Sequence, residues 1–248
     1  MAGGFTAVDL SQLAAPDVVE SLDYETILAA MLDDLKARDP EFSALVESDP
    51  AYKILEVSAY RELLVRQRVN EGAKAVMLAY AAGSDLDQIA ANFNVQRQVI
   101  DPGDPDAIPP VAATMETDED FRRRIQLSPE GYTVAGSRGA YIFHALGADP
   151  DVKDAFATSP APGEVAVYIL SREGNGEASA GLLDKVSGAL NAEDIRPMTD
   201  TVAVLSAGVR EYDVSAVLTV LSGPDAEVVR QSAEDAARQY ALESHRIA

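Results

Sequence analysis

Over the first hundred residues the apolar positions recur at helical spacing, and beyond residue 150 they alternate, so the pattern divides the chain into a helical part and a mixed part. From Asp23 the spacing of Leu28, Met31, Leu32 and Leu35 predicts a helix that Asp39-Pro40 stops. Phe42, Leu45 and Val46 make a short turn before Asp49-Pro50, which supplies an N-cap and a first-turn proline for the next helix. Residues 51–80 contain no proline, have Gly72 as their single glycine, and are filled mostly by Ala, Leu, Glu, Arg and Lys. Such a run predicts one continuous helix roughly 45 Å long.

Wound at 3.6 residues per turn, this rod carries Leu55, Ala59, Val65, Val69, Ala73, Val76, Met77 and Tyr80 on one side. Val57, Tyr60, Leu64 and Leu78 lie on the other. A rod apolar on two sides calls for two neighbours. Glu62 and Arg66 fall inside the first stripe at i,i+4 spacing, placed to pair with each other or with a partner chain. Two readings fit: the central helix of a monomeric bundle with that ion pair half solvated, or a subunit contact. Ala82-Gly83 is expected to end the rod, and Ser84 to cap a short helix holding Leu86, Ile89, Ala90 and Phe93.

The run VIDPGDPDAIPP, residues 99–110, has four prolines and three aspartates and reads as a linker. Its aspartates lack the alternating ligands and closing glutamate of a calcium loop, so no metal is assigned there. Thr117 opens the helix DEDFRRRIQL, whose Arg122, Arg123 and Arg124 form either a solvated face or an anchor for carboxylates of this or another subunit. A second helix carries Tyr141, Ile142, Ala145 and Leu146. Strands are predicted at 152–158, 164–170 and 201–206, with a helix through Leu182, Leu183, Val186, Ala189 and Leu190 between the last two. A strand at 211–221 and a helix at 225–243 come after them. The expected fold class is α+β, an N-terminal all-helical unit with one long helix followed by small ferredoxin-like α+β domains. Its divisions are an irregular arm at 1–22, a helical assembly domain at 23–98, a linker at 99–116, an α+β domain at 117–206, and at 207–248 the strand-helix start of a further α+β unit.

Charge narrows the partners. The 41 acidic and 20 basic residues give a net charge of −21, which repels phosphate backbones and anionic membrane surfaces, so neither nucleic acid nor membrane is an expected partner. The absence of cysteine removes disulfides, thiolate metal sites and a thiol nucleophile. The start MAGGFTAVDLSQL is not that of a secretory signal, and no apolar run approaches the ~20 residues of a membrane span, so a soluble, unexported chain is expected.

Catalytic signals are sparse. His144, beside Phe143 in a helix, reads as structural, and His245 lies near the end. The Gly174-Asn175-Gly176 loop lacks the Lys-Ser/Thr ending of a phosphate loop and is flanked by Glu173 and Glu177, so a turn accounts for it better. No catalytic residue, cofactor or metal is assigned. An acidic enzyme using a carboxylate pair stays open as the alternative, since such pairs abound in this composition.

Three stretches carry a resemblance: AYRELLVRQRVNEGAKAVMLAYAAGSDLDQIAANFNV at 59–95, ETDEDFRRRIQLSPEGYTVAGSRGAYIFHAL at 116–146, and GEVAVYILSREGNGEASAGLLDKVSGALNAEDIRPMTDTVAV at 163–204. Together they resemble the baseplate J-like family of contractile-tailed bacteriophages, in unbroken order over about residues 20–247. That resemblance implies a structural wedge subunit without enzymatic activity, built into the ring around the tail hub of the virion after assembly in the bacterial cytoplasm. The partners it implies are a second copy of the chain, a companion wedge tail protein, a small lysozyme-like-fold wedge protein and the surroundings of the tail hub. Glu62, Arg66, Arg68, Asn70 and Glu71 match the family's helix motif. The interface candidates are therefore Leu55, Ala59, Glu62, Arg66, Val69, Asn70 and Ala73, with Val57, Tyr60 and Leu64 opposite, and Arg122, Arg123 and Arg124. Members of that family usually run past the position of His245, Arg246 and Ile247 into another strand-helix-strand segment, which makes the last expected domain only a beginning. Hinge movement is expected at the Pro/Asp run.

Overall fold

The computed structural model describes residues 8–14, 16–219 and 225–247, and its contacts divide it into two compact units, Val8–Asn94 and the residues from Val95 onward. In the first unit α1 spans Tyr24–Arg38. Asp23 caps it by accepting the Thr26 amide at 2.8 Å, and Asp39 ends it before the 3-10 turn Pro40–Ala44. The long helix α2 spans Pro50–Ala75. Pro50 occupies its first turn, but the Asp49 carboxylate accepts the Val46 amide at 2.9 Å instead of capping the helix.

The expected rod to residue 80 is corrected: α2 has 26 residues, about 39 Å at 1.5 Å per residue. Beyond Ala75 the chain tightens into turns, with the Met77 amide on the Lys74 carbonyl and the Tyr80 and Ala81 amides on the Met77 carbonyl. These bonds satisfy carbonyls that the helix leaves open and tuck Ala81 into a fully buried position. Val76 is thrown outward. Gly83, in the left-handed region at φ +53°, starts α3, Gly83–Ala91. Ser84 therefore lies inside α3 and Ala82 holds the cap position without a side-chain bond, which corrects the expected serine cap. The core of this unit is Ile27 and Leu28 of α1 against Ala59 of α2, ringed by Tyr24, Met31, Leu32, Tyr52, Leu55 and Leu63.

The second unit opens with the Pro/Asp run. The run expected as a linker forms a hairpin, β1 (Val99–Asp101) paired antiparallel with β2 (Thr114–Met115) and bridged further out at Asp104–Val111. Gly103 turns it at φ +66°, where a Cβ would collide with the backbone of Val111 and Ala112. Helix α4 covers Asp118–Leu127, capped by Thr117 on the Asp120 amide at 3.2 Å, and α5 covers Arg138–Ala148, capped by Ser137 on the Ala140 amide at 3.1 Å. Then come β3 (Val152–Thr158), β4 (Glu164–Ser171), α6 (Ala180–Leu190), β5 (Thr201–Ser206) and α7 (Ala226–Ser244).

The three-stranded sheet has the order β3-β4-β5, antiparallel at the first pair and parallel at the second. Thus the crossover helix α6 joins adjacent strands, and the sheet differs in that pairing from a ferredoxin-like one, where a third strand separates the strands of a crossover. Ala155, Ala157, Val167 and Ile169 turn one face to Tyr141, Ile142, Ala145 and Leu146 of α5 and to Leu182, Val186 and Leu190 of α6, making the main core. The arrangement is α+β with a helical N-terminal region. One strand is corrected: residues 211–219 carry no ladder, with Tyr212, Val214 and Val217 exposed, and 220–221 lie outside the described residues. Among the described residues no strand is paired alongside them, and alternation alone does not hold a strand in water.

Candidate interaction surface

Helix α2 faces two environments. Its inner line is Tyr52, Leu55, Ala59 and Leu63 against α1, continued by Asn70, which is only 5% exposed. The expected first stripe is thus rotated: Leu55 and Ala59 turn inward and Ala73 is half-buried, while Val65 and Val69 turn out. The cause is α1, which packs along the line of Tyr52 and Leu63 and so displaces the stripe read from the sequence. The outer surface carries Ile54, Val57, Tyr60, Leu64, Val65 and Val69, between 44% and 66% exposed. So much apolar surface along one solvent-facing helix is what marks protein contact sites.

The residues of the RQR-N-E helix motif divide between two tasks. Asn70 clamps the N-terminal arm: its Oδ1 accepts the Glu20 amide at 3.0 Å and its Nδ2 donates to the Glu20 carbonyl at 2.9 Å. Arg66 holds Glu62 at 2.7 Å and Glu20 at 3.1 Å, so the pair expected within the helix is made and a third charge joins it from the arm. Arg68 stands outward, 83% exposed by side chain and 3.6 Å from Glu71. The order of residues 16–22 against α2 is not legible in the sequence, since the arm itself has no period; a lone asparagine on an otherwise apolar line is the available signal.

The arginines of α4 are anchors within this chain. Arg124 meets Glu116 at 2.5 Å with the two side chains 10% and 0% exposed. Glu116 Oε2 also accepts the Gln98 amide at 3.2 Å. Arg97 donates to the Glu116 carbonyl at 2.7 Å and stacks 4.6 Å from the Phe121 ring centroid, so hairpin and helix close on each other. Arg123 holds Asp154 of β3 at 2.8 Å. The buried Asp154 carboxylate accepts further bonds from the Ala155 and Ile247 amides, each at 2.9 Å. Around it Arg246 pairs with Glu119, Arg172 pairs with Asp120 at 3.0 Å, and His245 Nδ1 lies 3.2 Å from Lys153 Nζ. Burial and the neighbouring Arg172 lower the Lys153 pKa below its ordinary value. Arg122 is half-buried on the same helix.

His144 is half-buried, edge-on to Phe143 with ring centroids 5.3 Å apart, and burial lowers its pKa despite a hydrogen bond with the Gly131 backbone. An open groove beside α7 is lined by Tyr168, Leu170, Leu242 and Arg238, with Glu211 and Asp213 on its rim, both exposed. Neither carboxylate has the enclosed setting that an acid–base pair needs. Among the described residues no cluster of metal-ligating side chains is assembled, and no helix is long and apolar enough to cross a membrane.

Residues 47–104 match the family model of the baseplate J-like N-terminal domain, and residues 133–206 that of the baseplate J-like central domain. The chain is also similar to baseplate protein J of Escherichia phage P2, 50% identical over 247 residues, an alignment that covers 97% of this chain and 82% of that protein.

Proposed function

The chain belongs to the baseplate J-like family, and from that premise we propose that it is a structural subunit of a phage tail baseplate, placed in the virion tail and working by protein contacts. The observation that carries the mechanism is the outer face of α2, where Ile54, Val57, Tyr60 and Leu64 stay exposed while the inner line is sealed by α1. Such a face is costly in water unless a neighbour covers it, at about 25 cal/mol per Å² of apolar surface. The buried carboxylates support the same reading: Asp154 and Glu116 are each bound by an arginine and a backbone amide, a structural use of both groups.

Its partners are other baseplate components. The wedge role, the second copy, the companion wedge tail protein, the small lysozyme-like-fold wedge protein and the domain division are our assignments on the same premise, as are the hinge and the assembly role of the candidate residues. Co-expression with the neighbouring baseplate proteins, followed by mass photometry, tests the role. Wild-type chain is expected in a complex of defined mass, and Leu64→Asp is expected to leave the isolated chain folded by circular dichroism yet absent from that complex. Equal incorporation of Leu64→Asp would remove the outer face from the assembly mechanism.

A further inference from the structure

The three-stranded sheet ends differently on its two sides. Along β3 the free side is guarded by charge: the Asp154 carboxylate takes the Ala155 amide at 2.9 Å, Arg123 holds the same carboxylate, and the Ile247 amide reaches it at 2.9 Å. Along β5 no such guard stands among the described residues. Thr201–Ser206 has the last place in the order β3-β4-β5, carries neither charge nor proline, and leaves Leu205 43% exposed. Alternate residues of a paired strand turn their amides and carbonyls to the neighbour, so those of the remaining residues of β5 point to the free side, ready for another strand.

The same unit holds a segment with the pattern of a strand and no ladder. Residues 211–219 are all exposed, and 214–219 carry no charge in a chain a quarter of whose residues are charged. Ala216-Val217-Leu218-Thr219 nearly repeats Ala203-Val204-Leu205-Ser206 of β5. Within one copy the two are held apart: the Ala207 amide still donates to Ile169 of β4, Gly208 is not in the left-handed conformation of a tight hairpin, and residues 207–214 line the groove over Tyr168 and Leu170.

We propose that residues 211–219 of one copy add as a strand to the free side of β5 in a second copy, reciprocally and about a two-fold axis. The inference rests on the second-copy assignment and names the surface that makes it. Each copy gives one segment and receives one, so the contact closes on itself. Main-chain bonds supply the affinity, and Tyr212, Val214 and Leu218, on one side of the added strand, extend the apolar layer of Val202 and Val204 and set its register.

The chain has no cysteine, so Ala203→Cys and Ala216→Cys placed on separate chains report contact between copies. Their mixture, at about 50 µM with a short bismaleimide, is expected to give a cross-linked dimer, and light scattering of the wild type a doubled mass. In Val217→Pro with Leu218→Pro, one of the two adjacent amides lost must face β5. Both positions are exposed, so that variant is expected to have the mass of one chain with the helical circular dichroism signal unchanged. A wild-type monomer, or a cross-link formed only when both cysteines lie on one chain, would overturn the proposal. A wild-type dimer that the two prolines leave intact would overturn it and leave the second copy standing. Copy number in the co-expressed baseplate complex decides the second copy by itself, and a single copy there removes that assignment as well.

Discussion

Replacing Arg124 by methionine tests how the second unit is held together. The side chain is 10% exposed and its partner Glu116 0%, 2.5 Å away. Without the guanidinium, Glu116 Oε2 keeps only the Gln98 amide at 3.2 Å, and Glu116 Oε1 already has no partner. An uncompensated buried carboxylate left by removing one member of a buried pair costs about 3–5 kcal/mol. Methionine roughly conserves the volume beside Phe121, so little of that loss comes from a void. For a unit of this size the cost corresponds to a fall of about 6–20 °C in Tm. Urea unfolding followed by far-ultraviolet circular dichroism measures it, the chain having no tryptophan to report. Adding Glu116→Leu to Arg124→Met is expected to recover most of the loss, because a buried pair replaced as a whole by apolar groups is close to neutral. A loss under about 1 kcal/mol in the single variant, or a double variant no more stable than the single, would refute the assignment of that interaction as the tie between hairpin and helix.

The remaining contacts set further expected outcomes. Asn70→Ala removes both bonds to the Glu20 backbone; the first unit should lose about 1–3 kcal/mol, and hydrogen exchange should find the Glu20 amide unprotected. Gly103→Ala should weaken the hairpin, because a methyl group at φ +66° meets the Val111 and Ala112 backbone; proteolysis within 102–113 should quicken by tenfold or more. Burial depresses the folded-state pKa of His144, so in acid the unfolded chain binds the proton more readily. Stability from this group is complete above the ordinary histidine value of about 6.5 and is lost as pH falls from there through the lower folded-state value. His144→Gln should flatten the pH dependence of urea midpoints below pH 6.5, and an unchanged slope would assign it to other groups.

Elements whose order is local are legible in the sequence. The helix start at Asp23, the stop at Asp39-Pro40 and the strands beginning at Val152, Glu164 and Thr201 all fall where residue type and period place them, since each is decided within a few residues. What depends on a distant partner is not. The Pro/Asp run reads as a linker until Met115 and Val99 are brought together, and the alternation at 211–219 reads as a strand although no ladder is present among the described residues. The inner face of α2 is misplaced by periodicity because the packing line of α1, set by Tyr24, Ile27, Leu28 and Met31, rotates it by part of a turn. The density of Arg123 and Arg124 leaves both a solvated face and a carboxylate anchor open, and their partners, Asp154 and Glu116, are not legible, since among so many carboxylates sequence alone does not say which two are buried.

Helix α4 is ten residues long, yet it grips the root of the hairpin through Arg124, the sheet through Arg123, and through Asp120 and Glu119 the arginines at the end of β4 and beyond α7. A pull applied at the hairpin tip or at the tail past α7 therefore reaches the sheet partly through this short crosspiece, beside the direct contacts of His245 and Ile247 with Lys153 and Asp154 of β3. Tension is divided among several charge-assisted bonds spaced along it, and no single apolar seam has to carry the load by itself.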